Sequence, residues 1–222
     1  MSEHDQPPDL EWRDGGVPVS RRFDDPYFSL AGGLDETRHV FLSGNDLQAR
    51  IAEAGADVLH VVELGFGTGL NLLALAELAD RPVRFKSFEA YPMDASQLAQ
   101  AHTAFPDLAE LSAQLRLGYG SRRFRVGQVQ AELIVGDARQ TLPLWNGMAD
   151  AWFLDGFSPA RNPELWGAEL LAQVGALTRQ GGTFATYSAA GHVRRALEAA
   201  GFEVHRSPGF AGKRHMSRGI RR

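Results

Sequence analysis

The stretch Val61-Val62-Glu63-Leu64-Gly65-Phe66-Gly67-Thr68-Gly69-Leu70-Asn71 carries an apolar run through one acid into three alternating glycines and on into a leucine-rich segment. Glycine lacks Cβ and adopts positive φ without strain, so here the chain can reverse tightly and bring bare backbone against a ligand. The apolar, β-branched run Val58 to Leu64 suits a buried parallel strand. Leu70 to Ala79, rich in Leu and Ala, suits a helix whose first amides face that ligand. Strand, turn and helix together make a seat for a nucleotide-type cofactor. A dinucleotide fold prefers G-x-G-x-x-G, whereas this chain has G-x-G-x-G with Glu63 two residues ahead of it.

Three further acids stand where strands are expected to end. Glu89 follows Gly69 by twenty residues, at the end of the strand Val83 to Ala90, where a carboxylate can accept hydrogen bonds from both hydroxyls of a ribose. That placement suits NAD as well as any other adenosine cofactor. Asp137 follows the strand Gln130 to Gly136, and Asp155 follows the strongly apolar strand Ala149 to Leu154. Asp155 opens the loop Asp155-Gly156-Phe157-Ser158-Pro159-Ala160-Arg161-Asn162-Pro163, in which two prolines and a glycine restrict the backbone while Asp155 and Asn162 offer acceptors to an amine or hydroxyl. The same Asp155 could instead cap the following helix, with Pro163 at that helix's first position.

Between these strands the sequence alternates with helical patterns: Met93 to Phe105, Leu108 to Leu117, Leu165 to Leu177, and Val193 to Ala200 stopped by Gly201. Thr183 to Tyr187 reads as a fifth strand after a Gly181-Gly182 turn, and Phe202 to Arg206 with Met216 to Arg221 as a final antiparallel pair. Repeated β-α units imply an α/β, doubly wound and mostly parallel sheet with helices on both faces and ligands beyond the carboxyl ends of the strands. Residues 1–55 are expected to form an N-terminal extension, a small hairpin plus a helix covering the active-site edge, and 56–222 the α/β domain. The long segment Pro106 to Val129, with its basic group Arg122, Arg123 and Arg125, is either a substrate-contacting insertion or a structural cap.

A chain of 222 residues with 44% hydrophobic content can bury a full core in one such domain. With no cysteine, the chain has no disulfides, cysteine-based zinc sites or thiol nucleophiles. Its seven histidines are scattered without ligand spacing, so no metal is expected. No leader or long apolar run appears, which points to the cytoplasm and to no membrane partner. The net charge is −4, yet from Gly191 onward eight Lys/Arg face two acids. Such a basic end is either a solvated face or a surface for phosphates.

The G-x-G-x-G turn with its preceding acid resembles the first motif of class I S-adenosylmethionine (AdoMet) methyltransferases. Over nearly its whole length the chain resembles a narrower family, the methyltransferase module of the MnmC tRNA wobble-uridine modification proteins, which also occurs alone. The match lies in Pro18-Val19-Ser20, Phe23-Asp24-Asp25 with Tyr27-Phe28, Glu36-Thr37-Arg38 with Val40-Phe41-Leu42, Gly65 to Asn71, Ser87-Phe88-Glu89, Trp152 to Phe157 with Pro159 and Asn162-Pro163, and Gly212-Lys213-Arg214. The resemblance implies a Rossmann-like class I fold with a mostly parallel, seven-stranded sheet. It also implies AdoMet bound by Glu63, Gly65, Phe66, Gly67, Thr68, Gly69, Asn71, Glu89, Asp137 and Asp155, with Asp137 near the adenine amine and Asp155 also catalytic. The implied reaction is methylation of the amine of 5-aminomethyl-2-thiouridine at the tRNA wobble position. Its FAD-dependent partner module, fused or separate, has no counterpart in this sequence.

Substrate contacts are expected from Phe157, Pro159, Arg161, Asn162, Lys213 and Arg214. Further phosphate candidates are Arg122 to Arg125, Arg194 and Arg195, and Tyr27, Phe28 or Phe157 could stack on the extruded base. Three alternatives stay open: methylation of another amine, small-molecule or protein; an NAD-dependent oxidoreductase; and a noncatalytic module that has kept the glycine turn.

Overall fold

The computed structural model describes residues 7–29, 32–53 and 57–222. Parts of the expected N-terminal extension, at 1–6, 30–31 and 54–55, lie outside them. Strand β4 (Leu59–Leu64) is the centre of the sheet, paired in parallel with β5 (Val83–Glu89) on one side and β8 (Ala149–Leu154) on the other. Beyond them lie β7 (Val129–Val135) and β9 (Thr178–Thr186), also parallel. Antiparallel strands finish both edges: β6 (Arg123–Val126) beside β7, and the hairpin β10 (Phe202–Pro208) and β11 (His215–Arg221) beside β9. The order is β10-β11-β9-β8-β4-β5-β7-β6.

The sheet therefore has eight strands where seven were expected. The additional one, β6, falls in the segment whose arginines masked it. Arg123, Phe124, Arg125 and Val126 alternate between exposed and more buried positions, Arg123 bonds Glu132 across the pair, and Gly127 at φ +53° closes a two-residue hairpin loop. A second difference lies in β9, which begins at Thr178: its register with β8 jumps from Thr178 to Thr183, so Gly181-Gly182 forms an irregularity inside the strand. The helix expected from Leu165 to Leu177 is divided at Gly167 into a 3₁₀ turn (Pro163–Trp166) and α7 (Ala168–Ala176).

Alternation along the central strands sends side chains to two cores. Val61 and Phe153 face one layer, and their neighbours Val62 and Trp152 the other. The first layer holds α3 (Leu70–Leu78), α4 (Ala95–His102) and α5 (Ala109–Tyr119). The second holds α7 and α8 (Gly191–Ala199), with the short α6 (Ala138–Thr141) at its edge. Asp94 starts α4 with a capping box closed by Gln97. α3 is buried on nearly every side, because it is covered by the sheet, by α5 and by the N-terminal segment.

That N-terminal segment begins with a small antiparallel sheet of β1 (Leu10–Arg13), β2 (Val17–Ser20) and β3 (Asp25–Pro26). It continues through α1 (Gly33–Thr37), a π-helical turn (Arg38–Ser43) and α2 (Leu47–Glu53). It is tied to the main sheet by polar and apolar contacts alike. The Asn45 amide donates to Phe41 O and Trp152 O and accepts from Thr183 Oγ1, while Arg50 donates to Thr183 Oγ1 and Asp150 O. Phe41 rests on Phe153, which also meets Phe85. Phe153→Ala would open a cavity at that three-way contact, and a loss of about 3–5 kcal/mol is expected from the urea unfolding midpoint.

Candidate active site

Backbone geometry at the end of β4 sets the floor of a cavity of about 830 Å³. Gly65 has φ +85°, and a Cβ there would lie 3.0 Å from Asp155 O and 3.1 Å from Gly156 Cα. Its lack of a side chain is what lets the tips of β4 and β8 close together. The Gly67 amide donates to Glu89 Oε2 at 2.9 Å, and the Tyr91 amide to Glu89 Oε1 at 2.8 Å. Glu89 is thus held at the end of β5 with both oxygens oriented by main chain, facing the cavity. Burial pushes its carboxyl up, against the opposing effect of those amides. Gly69, at φ +74°, serves a different contact: a Cβ there would come within 2.7 Å of Phe66 and 2.9 Å of Leu115, so it seats the turn on α5.

Beneath the floor, Glu63 is fully buried, accepting from Asn71 Nδ2 at 2.8 Å and Ser87 Oγ at 2.6 Å. The second proton of Asn71 Nδ2 goes to Asp155 Oδ2 at 2.7 Å, and Asn71 Oδ1 accepts from Thr37 Oγ1 at 3.0 Å. Every polar atom of this carboxamide has a partner, which fixes its orientation. Asp155 Oδ1 accepts the amide of Gly156 at 2.8 Å. Desolvation is the main cause that raises Glu63 to about 8 and Asp155 to about 6, with the charge of Asp155 adding to the shift of Glu63.

The loop after β8 forms one wall. Phe157 stacks on Phe23 at 4.7 Å and meets Tyr27 edge-on at 4.9 Å. The Ser158 amide donates to Asp25 Oδ2, Arg161 pairs with Asp24 at 2.9 Å, and Trp166 Nε1 donates to Phe157 O. Opposite, Tyr187 donates to Gly156 O at 2.7 Å, and the Lys213 ammonium lies 2.5 Å from Glu36 Oε1. Asp137 caps α6 and is held by Arg139, whose Nη2 lies 2.5 Å from Oδ2.

Of the residues singled out in the sequence, the structure gathers Gly65, Phe66, Gly67, Thr68, Asn71, Glu89, Asp137, Asp155, Phe157, Arg161, Asn162 and Lys213 around one cavity. Among the described residues, Glu63, Gly69, Pro159 and Arg214 do not line it. The Arg122 to Arg125 group runs into the far edge strand β6, and Arg194 and Arg195 lie on α8, away from the wall. Phe28 is buried against Phe105, with an edge at the cavity. No cluster of three or more acidic or histidine side chains suited to a metal occurs among the described residues.

A family model described as S-adenosyl-L-methionine-dependent methyltransferase matches residues 102–222. The chain belongs to this family. Among curated proteins, it is 46% identical over 97% of its length to the tRNA 5-methylaminomethyl-2-thiouridine biosynthesis bifunctional protein MnmC of Aromatoleum aromaticum. It is 42% identical over 95% of its length to the protein of that name from Pseudomonas savastanoi. The chain spans only about a third of these relatives, 36% and 34% respectively. The crystal structure of MnmC2 from Aquifex aeolicus has the same fold, with a TM-score of 0.73 at 22% identity, covering 99% of this chain and 72% of that one.

The methyltransferase cavity fits AdoMet. The turn from Gly65 to Thr68 lines it, Glu89 offers a fixed acceptor for vicinal hydroxyls, and the volume is that of a site for a nucleoside cofactor with room for a second group. With the family shown, the NAD alternative loses its support. Several methyltransferase wall residues were not singled out as ligand contacts: Glu36, Thr37, Asp25, Arg22 and Tyr187. Glu36, Thr37 and Asp25 belong to the N-terminal block that carried the resemblance, but nothing in local spacing places them opposite Asp155.

Because the folded enzyme holds the Glu63 proton more tightly than the unfolded chain, Glu63 contributes most favourably when protonated, and that contribution is lost as pH rises from about 4.5 to about 8. The stability of the parent relative to Glu63→Gln is expected to fall across that window in urea titrations at stepped pH.

Proposed function

We propose that this methyltransferase transfers the methyl group of AdoMet to the exocyclic amine of 5-aminomethyl-2-thiouridine at the tRNA wobble position, giving 5-methylaminomethyl-2-thiouridine, in the cytoplasm. The observation that carries the reading is identity of 42–46% over 95–97% of this chain with proteins named for the biosynthesis of that nucleoside. Those relatives are longer and are called bifunctional. An FAD-dependent oxidoreductase, fused or separate, is the partner we assign to the supply of the amine. Among the described residues no helix is long and apolar enough to cross a membrane.

Bound AdoMet supplies an electrophilic methyl group with its own leaving group, so the protein needs chiefly to hold a neutral nitrogen in line and exclude water. Asp155 stands at the tip of β8 with its oxygens fixed by the Gly156 amide and Asn71. Ionised above about pH 6, it accepts a hydrogen bond from the amine, aims the lone pair, stabilises the positive charge that develops on nitrogen, and takes the proton that nitrogen sheds. Phe157 with Phe23 and Tyr27 offers an aromatic surface for an extruded base. Arg13, Arg22, Arg161 and Lys213 on the cavity rim, with Arg214 beyond, are the cations we assign to an incoming backbone. Methylation of another amine remains the second reading, separated by assay on tRNA with and without the aminomethyl group.

Incubation with labelled AdoMet and tRNA from cells lacking this methylation, followed by nucleoside analysis, is expected to yield labelled 5-methylaminomethyl-2-thiouridine; unlabelled tRNA would remove the assignment. Asp155→Asn should leave AdoMet affinity nearly intact by calorimetry while lowering turnover about tenfold or more, roughly 1.4 kcal/mol of barrier. Parent kcat is expected to fall as pH drops through about 6. tRNA affinity should weaken steeply with salt, and Arg22→Ala should flatten that slope by about one unit.

A further inference from the structure

At the mouth of the cavity the protein already holds a primary alkylammonium of its own. Lys213, on the connection between β10 and β11, places Nζ 2.5 Å from Glu36 Oε1 and 5.1 Å from the centroid of the Tyr187 ring. A carboxylate on one side and an aromatic face on the other is a pairing that recognises a cation on a short carbon stem. Both partners are built in. Glu36 stands on α1 with its side chain only 12% exposed, and the Tyr187 ring is held by the hydrogen bond from its hydroxyl to Gly156 O. The negative charge of Glu36 helps raise both Asp155 and Tyr187, so it shares a compartment with the reacting end of the site.

Lys213 itself is the more exposed member. Its side chain is 49% exposed, and it follows Ala211 at φ +43° and Gly212 at φ +85°, where the space around Gly212 is open. Its stem can leave the mouth without disturbing either core.

We propose that Glu36 and the Tyr187 ring form the recognition site for the primary ammonium of the methyl acceptor, and that Lys213 occupies this site in the free enzyme as an internal stand-in. The inference rests on the aminomethyl acceptor argued above and names the side chains that select it. An incoming substrate exchanges one ammonium for another, so the largely covered Glu36 carboxylate keeps a cation during capture; the bound ammonium then gives its proton to water, and the neutral nitrogen turns to Asp155 for the transfer. The product, a secondary amine, has one donor fewer and an added methyl group, which loosens its hold on the same pair. Displaced Lys213 moves toward solvent, where phosphates of a polynucleotide would meet it.

The free nucleoside 5-aminomethyl-2-thiouridine carries the amine without phosphates, so its affinity isolates this site. By NMR titration, Glu36→Gln is expected to weaken it about fivefold or more, and Lys213→Met to tighten it about threefold, while AdoMet affinity stays within about twofold as a check of the fold. 5-Methyluridine, lacking the amine, should not distinguish the three proteins. Equal affinity of parent and Glu36→Gln for the aminomethyl nucleoside, or weaker binding by Lys213→Met, overturns the proposal. With tRNA, Glu36→Gln should raise KM more than it lowers kcat, and a loss of kcat at unchanged KM also overturns it. A parent protein that binds the nucleoside in the expected pattern yet methylates no tRNA strikes the tRNA assignment and leaves this site standing.

Discussion

Removing carboxylates from water is the constraint around which this structure is arranged. Glu63, Glu89 and Asp155 converge at neighbouring strand ends, where ionised groups would repel one another and lose hydration. Each is compensated by directed donors. Main-chain amides hold Glu89 and one oxygen of Asp155, and a single carboxamide, Asn71, joins Asp155 to Glu63. The helix that carries Asn71 begins directly after the glycine turn, so the feature that clears space for a cofactor also positions the group that reconciles two acids. Glu63, raised to about 8, is the member whose ionisation burial opposes more, and Asp155, raised to about 6, is the more readily ionised of the two.

The N-terminal segment shares this arrangement and does more than cover an edge. Thr37 fixes the oxygen of Asn71, Asp25 receives the Ser158 amide, and Tyr27 and Phe23 meet Phe157. The loop after β8 is therefore held from outside the sheet as well as by its own prolines. Phe41 against Phe153, with Asn45 and Arg50 bonded to β8 and β9, ties the same segment to the core, so stability and site geometry are coupled through it. That coupling suits a methyltransferase whose own residues mainly orient and desolvate the methyl acceptor.

Much of the architecture was legible from pattern alone. The central strands bury both faces, and β8 was bounded at Ala149 and Leu154 because its apolar run ends abruptly at Asp155. Strand β6 was not legible, since its alternating arginines pair with strand β7 and with solvent and so read as a basic patch. The start of β9 was hidden for a related reason: glycines that signal a turn in isolation can equally form an irregularity once a neighbouring strand supplies partners. Glu63 and Gly69 were singled out with their neighbours in the motif, yet one lies under the floor and the other packs against Phe66 and Leu115.

By itself the sequence determined the cofactor turn, the alternation of strands and helices and the acids at strand ends, because backbone sterics and hydrophobic periodicity act over a few residues. Only the tertiary structure decided which charges meet across the fold: that Asn71, bonded to Glu63, also reaches Asp155, and that Glu36 of α1 faces Tyr187 and Lys213 from the far end of the chain. Those pairings depend on distances between segments far apart in the chain. They form only when burial of the two cores brings the segments together, and no local spacing encodes them.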